Sequence, residues 1–136
     1  MSRRFFSIAL GFGPLLVLSS ACVDRALSSS ACSNVTVRVT AGIQPSFSWT
    51  PACRIEGLTV HLPGPGAVIW GTVSHNQANN IESPVVRYGV FPDSAAQTAN
   101  ILLPLVAGTT YQVALFRVDD GSGGSLQRVG VTTFVP

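Results

Sequence analysis

Two histidines and three cysteines are the side chains of this chain best suited to hold a metal or attack a substrate, and their placement argues against both roles. A zinc centre gathers four Cys, His or carboxylate ligands, drawn in close-spaced pairs. Neither His61 nor His75 has a second ligand at such a spacing. In "LTVHL" His61 alternates with apolar residues and so points out of a strand, while His75 falls in a polar loop. "DDGSGG" sets Asp119 and Asp120 before glycines, which suits a tight hairpin turn, whereas a calcium cage needs further carboxylates along the loop. The serines of "GSGGS" are not a hydrolase elbow, a motif that needs a strand before it, a helix after it and a histidine partner. The chain reads as a non-enzyme, with no cofactor and no metal expected.

The remaining chemistry lies in the cysteines. "SSAC" occurs twice, ending at Cys22 and at Cys32, in different surroundings. Before the first copy, Arg3 and Arg4 form a positive start, Phe5 to Leu18 an uncharged apolar run, and Ser19 to Ala21 a small-residue exit, the pattern of a cleaved export signal over 1–21. Gly11, Gly13 and Pro14 interrupt the run, which falls short of the roughly 20 apolar residues of a membrane span.

At its exit this segment resembles a bacterial lipoprotein signal. That resemblance implies that Cys22 becomes the acylated first residue of the mature protein, held in a lipid bilayer. Ser19 stands where such signals usually carry Leu, with Leu18 one position earlier; the alternative is ordinary cleavage, giving a secreted or periplasmic protein with a free thiol. Val23, rather than Asp, follows Cys22, which resembles the outer-membrane class of such lipoproteins. "SRRFF" at Ser2 to Phe6 also resembles a twin-arginine export motif, and a paired arginine opening a general signal is the plainer reading. Cys32 is separated from the apolar run by Asp24 and Arg25 and belongs to the folded part.

All eight basic residues are arginine, and two of them lie in the signal, so six arginines face six acids in the remainder of the chain. The net charge of +2 is therefore the charge of the signal, and nothing marks a nucleic-acid surface.

Beyond the signal, "VTVRVT" (35–40), "SFSWT" (46–50), "LTVHL" (58–62) and "TYQVALF" (110–116) alternate with period two. This places Val35, Val37, Val39, Phe47, Trp49, Leu58, Val60, Leu62, Tyr111, Val113 and Leu115 on inward faces. Further strands are expected at 67–74, 85–91, 100–105 and 127–135. Between the strands stand "AGIQP", "PGPG", "HNQANN", "AGT" and "DDGSGG", all turn chemistry. "VIWG" (68–71) and "VRYG" (86–89) share a pattern and are expected to pair as a hairpin.

A hairpin of "VTVRVT" and "SFSWTP" around loop 41–45 is centred on Ile43, which puts Cys32 and Cys53 nearly opposite each other at its open end. In an oxidising compartment a Cys32–Cys53 disulfide is expected. Pairing of Cys22 with one of the other two is the alternative.

"LVAGTTYQVALFRVDDGSGGSLQRVGVTTF" resembles a fibronectin type III domain, with Leu105, Gly108, Thr109, Tyr111, Val113, Leu115, Gly121, Thr132, Thr133 and Phe134 in the places of that family's sixth strand, hairpin and last strand. "FSWTP" resembles its second strand, while "VRYGVFP" departs from the pattern. The resemblance implies an all-β, Greek-key β-sandwich of about seven strands over 34–136, preceded by the signal at 1–21 and a tether at 22–33.

It also implies that the long polar loop "SHNQANNIES" (74–83) shares one end of the sandwich with 52–57 and 119–125. His75, Asn76, Gln77, Asn79 and Asn80 are its candidate contact residues. Phe91 and Phe116 are expected outside the core. Asn34-Val35-Thr36 fits the glycosylation pattern and is read as the start of a strand. The functional expectation is a lipid-anchored cell-envelope domain that binds or spaces an envelope protein, the alternative being an accessory module for a glycan or an envelope enzyme.

Overall fold

The computed structural model describes residues 29–82, 85–95, 97–98, 102–119 and 124–136. The expected signal 1–21, Cys22 and most of the tether lie outside the described residues, as do Ser83 and Asp120. The described chain is all-β. A 3-10 turn at Ser29–Cys32 leads into β1 (Thr36–Thr40), β2 (Ser46–Thr50), β3 (Gly57–His61), β4 (Val68–Val73), β5 (Val86–Arg87), β6 (Gln97–Thr98), β7 (Tyr111–Val118) and β8 (Leu126–Phe134). They form two antiparallel sheets, one ordered β1-β2-β5 and the other β6-β4-β3-β7-β8.

The period-two pattern turns one face of each sheet inward, and the two faces enclose one core. Phe47 and Trp49 enter it from β2, Leu58 and Val60 from β3, Trp70 from β4, and Val113 and Leu115 from β7, all buried. Phe47 lies 6.2 Å from the Trp70 ring and meets Phe134 edge-on at 5.7 Å, geometries that aromatic pairs prefer. Leu62, expected inward, is exposed. The β3–β4 register shifts between Val60 and His61, and that irregularity ends the alternation one residue before Leu62.

Thr72, on the inward phase of β4 opposite Leu58, is fully buried and its hydroxyl has no hydrogen-bond partner. An unpaired buried hydroxyl costs stability that an isosteric methyl does not. Thr72→Val is therefore expected to raise the unfolding free energy by about 1 kcal/mol, read from urea denaturation midpoints at constant m.

The expected hairpin of "VIWG" with "VRYG" does not form. β4 pairs with β3 and β6, whereas β5 pairs with β2 in the opposite sheet. The two segments resemble each other because each supplies an aromatic to the same core: Trp70 and Tyr88 meet across it with ring centroids 5.1 Å apart. β5 is also short, since the chain turns at Tyr88 and Gly89 (φ 79°), a left-handed position that glycine accepts. No strand forms over 102–105. Pro104 has no N–H to give a ladder, and the carbonyl of Leu103 is taken by the Tyr88 hydroxyl.

One side of the sandwich is closed. Val35 donates from its N–H to the Val129 carbonyl at 2.8 Å, joining the start of β1 to β8 across the two sheets. Val129 is available because the β7–β8 register shifts between Leu115 and Phe116, which leaves it as an extra, inward-turned residue. Tyr111 anchors the opposite end of β7, its hydroxyl accepting from the Val106 N–H at 2.9 Å, the tie that corners of Greek-key sandwiches use.

Strand direction sorts the connections into two ends. At one lie the turn 29–32, the links 51–56 and 74–82, and the residues 119 and 124–125 that flank the β7–β8 connection; at the other lie 41–45, 62–67, 88–91 and 106–110.

Candidate functional site

Of the three loops that the fibronectin-like resemblance groups at one end, specific ties join 51–56 and 74–82 to each other and to the end of β7, while 120–123 of the third lie outside the described residues. Each polar loop carries one isolated isoleucine, and these two meet: Ile55 and Ile81 are fully buried and exchange backbone hydrogen bonds of 2.9 Å in both directions. Outside that bridge Arg54 pairs with Glu82 at 2.5 Å. Both side chains are mostly exposed, so this pair contributes little. The Arg117 guanidinium, reaching over from β7, donates to the Arg54 carbonyl.

Asn79 closes the third side. Its amide nitrogen donates to the Val118 carbonyl and its amide oxygen accepts from the Val118 N–H, both at 2.9 Å, so the side chain acts as one more rung beyond the end of β7. Asn80 donates to the Asn76 side-chain oxygen at 2.6 Å, and Ser74 accepts from the Ala78 N–H at 3.0 Å. Gln77 sits in the left-handed region at φ 54° at the tip. Of the five candidate contact residues, then, Asn76, Asn79 and Asn80 hydrogen-bond within the domain, while His75 and Gln77 are exposed and face outward.

Asn79→Ala removes both partners of a backbone pair and is expected to cost about 2 kcal/mol, measured by urea unfolding. Asn80→Ala, at an exposed bond, is expected to cost well under half of that. A probe of recognition at this end must therefore change His75 and Gln77, because changing Asn79 alters the fold of the loop itself.

The disulfide joins the same end: Cys32 and Cys53 are bonded, both buried, with Cα atoms 5.8 Å apart. Beside it the buried Trp49 indole N–H donates to the Cys53 carbonyl at 2.6 Å, which fixes the link between β2 and β3 from within.

Glu56 stands between these ties. Its N–H donates to the Phe116 carbonyl and its carbonyl accepts from the Ser74 N–H, so its backbone is fully used, and its side chain is buried. Burial penalises the charged carboxylate and raises the Glu56 pKa above the ordinary carboxyl range. The folded state then holds this proton at a pH where the unfolded state has lost it. The stabilisation is present below the unfolded-state pKa and is lost as pH rises through the raised one. Glu56→Gln is expected to flatten that loss and to be more stable than the parent at neutral pH, as thermal melts from pH 4 to pH 8 would read.

Sequence reasoning grouped the loops but passed over Arg54, Glu56, Glu82 and Arg117, which build the ties. The available signal was the lone isoleucine in each of "CRIEG" and "NNIES", an apolar residue that a polar loop has no use for unless it is pinned. Among the described residues, no group of three or more His, Cys, Asp or Glu stands together, and no helix is long and apolar enough to cross a membrane. Comparison of the chain with protein families, curated proteins and solved structures finds no match.

Proposed function

We propose that this chain is a lipid-anchored, non-catalytic domain of the bacterial cell envelope, held through Cys22 and serving as a binding or spacing element with a fibronectin type III-like strand order. The observation that carries the proposal is the sequence of an apolar signal, a cysteine at its exit and, ten residues on, a second cysteine that fastens the first strand of the fold. The tether thus joins the domain where the chain is covalently cross-linked. The arrangement of β1, β2 and β5 against β4, β3, β7 and β8 supports the fibronectin-like part of the reading, with β6 as an addition. The Tyr111 tie supports it too.

The test is the intact mass of the protein purified from its own membranes, before and after reduction. A chain beginning at Cys22 with added acyl mass, gaining two hydrogens on reduction, is expected. An unacylated mature chain overturns the anchor and moves the search for a partner outside the cell.

A further inference from the structure

Most of the exposed large apolar side chains lie toward one end of this sandwich and most of the charges toward the other, with Leu126, 56% exposed, at the charged end. Ile43 in the β1–β2 loop is 79% exposed and Val106, before β7, is 60% exposed. Leu62 after β3, Phe91 beyond β5 and Val135 after β8 leave their strands at that same end, remote from Cys32. Leu103 joins them through its bond to Tyr88, which in turn donates from its N–H to Pro45. Arg54, Glu56, Glu82, Arg117 and Arg128 gather toward the other end. From Ser94 to Phe116 the chain contains no Asp, Glu, Lys, Arg or His. Near the apolar end stand His61, Arg87 and, two residues past Phe91, Asp93.

We propose that the apolar end inserts into the interface of a lipid bilayer, with the strands standing on the membrane and the charged end in water. Large exposed apolar patches mark protein or membrane contacts, and the residue types here favour lipid. Protein interfaces depend on Trp, Tyr and Arg anchors seated in pockets, whereas Trp49, Trp70, Tyr88 and Tyr111 are all buried in this domain. What protrudes is chiefly aliphatic and is carried on separate loop tips, an arrangement suited to a fluid plane rather than a shaped pocket. A rigid body with apolar tips at one end and charges at the other orients itself at a water–lipid boundary. The long Arg87 side chain can lie along the apolar body and carry its charge to headgroup depth. With no basic cluster at this end, insertion is driven by apolar burial and needs neither anionic lipid nor low salt. The proposal is independent of acylation, because residues 1–28 join at the opposite end.

Amide hydrogen exchange of the full chain, with and without vesicles of a zwitterionic phosphatidylcholine, tests it. Loops 41–45 and 105–109 are expected to exchange about tenfold more slowly on vesicles, at low and high salt alike, while loop 74–82 keeps its rate. Ile43→Asp combined with Val106→Asp should restore the vesicle-free rate. Both sites are exposed, and a melt confirms folding; if that pair unfolds, Ile43→Ser with Val106→Ser takes its place. Unchanged rates on vesicles overturn the proposal, as does slowing at 74–82 instead. Slowing that needs no vesicles and grows with protein concentration also overturns it, making the face a contact between two copies. Attachment through Cys22 or the signal does not imitate the expected result, since it slows no loop at the far end.

Discussion

Replacing Cys32 and Cys53 together with serine is expected to lower the unfolding free energy by about 3 kcal/mol, with the same loss when the parent protein is reduced. The bond closes a loop spanning 21 positions, and opening it returns that chain entropy to the unfolded state. The native state also depends on it, because β1 is an edge strand. β1 is paired along one side, with β2, and among the described residues the chain just before it is tied to β8 by the backbone bond from Val35 to Val129. The loss should therefore appear first as faster exchange of the Val35 and Val37 amides, before the β3–β7 ladder is affected. Urea titrations of the parent, the reduced parent and the double serine variant check the size, and agreement between the last two separates the cross-link from the side chains.

The second large effect is expected at Gly130. A Cβ placed there would lie 2.7 Å from Cγ2 of Val35, 2.9 Å from Cγ2 of Val37 and 3.0 Å from the Val35 carbonyl oxygen. Two of the three obstacles are methyl groups on a strand that must stay close for the sandwich to close, so β1 has to move away from β8. Gly130→Ala is expected to cost about 2 kcal/mol and Gly130→Val distinctly more. Adding Val35→Ala to Gly130→Ala should recover part of the loss, since it clears one methyl but leaves the carbonyl in place. A double-mutant cycle reads that coupling directly. Additive costs would mean that the two strands are not in contact.

Much of the fold was legible wherever neighbouring segments pair. The β1–β2 hairpin follows the register centred on Ile43, with Val37 opposite Trp49 and Val39 opposite Phe47, because unbroken alternation on both arms leaves one register that buries both faces. That same register brought the two cysteines together. Reading failed where partners are distant in sequence. "VIWG" and "VRYG" resemble each other through their inward aromatics, and a shared burial pattern says which way residues face without saying which strand lies alongside. The closure of β1 against β8 depends on a bulge at Val129 and on the missing side chain at Gly130, neither of which has a local signature. At the loop cluster, composition identified the polar residues but not their use: Asn79 looks as free as Gln77 in sequence, and only its distance to Val118 makes it part of the scaffold.

The position of the cross-link also sets how this domain responds to force. A pull through residues preceding Ser29 enters at the turn Ser29–Cys32 and would, without the bond, fall directly on β1. With Cys32 bonded to Cys53, the first strand cannot be drawn out alone; tension passes through the sulfurs to the link between the sheets, where Trp49 is bonded to Cys53 from within. From there the covalent path continues into β3, while β1 and β2, inside the loop that the bond closes, are bypassed and stay unloaded.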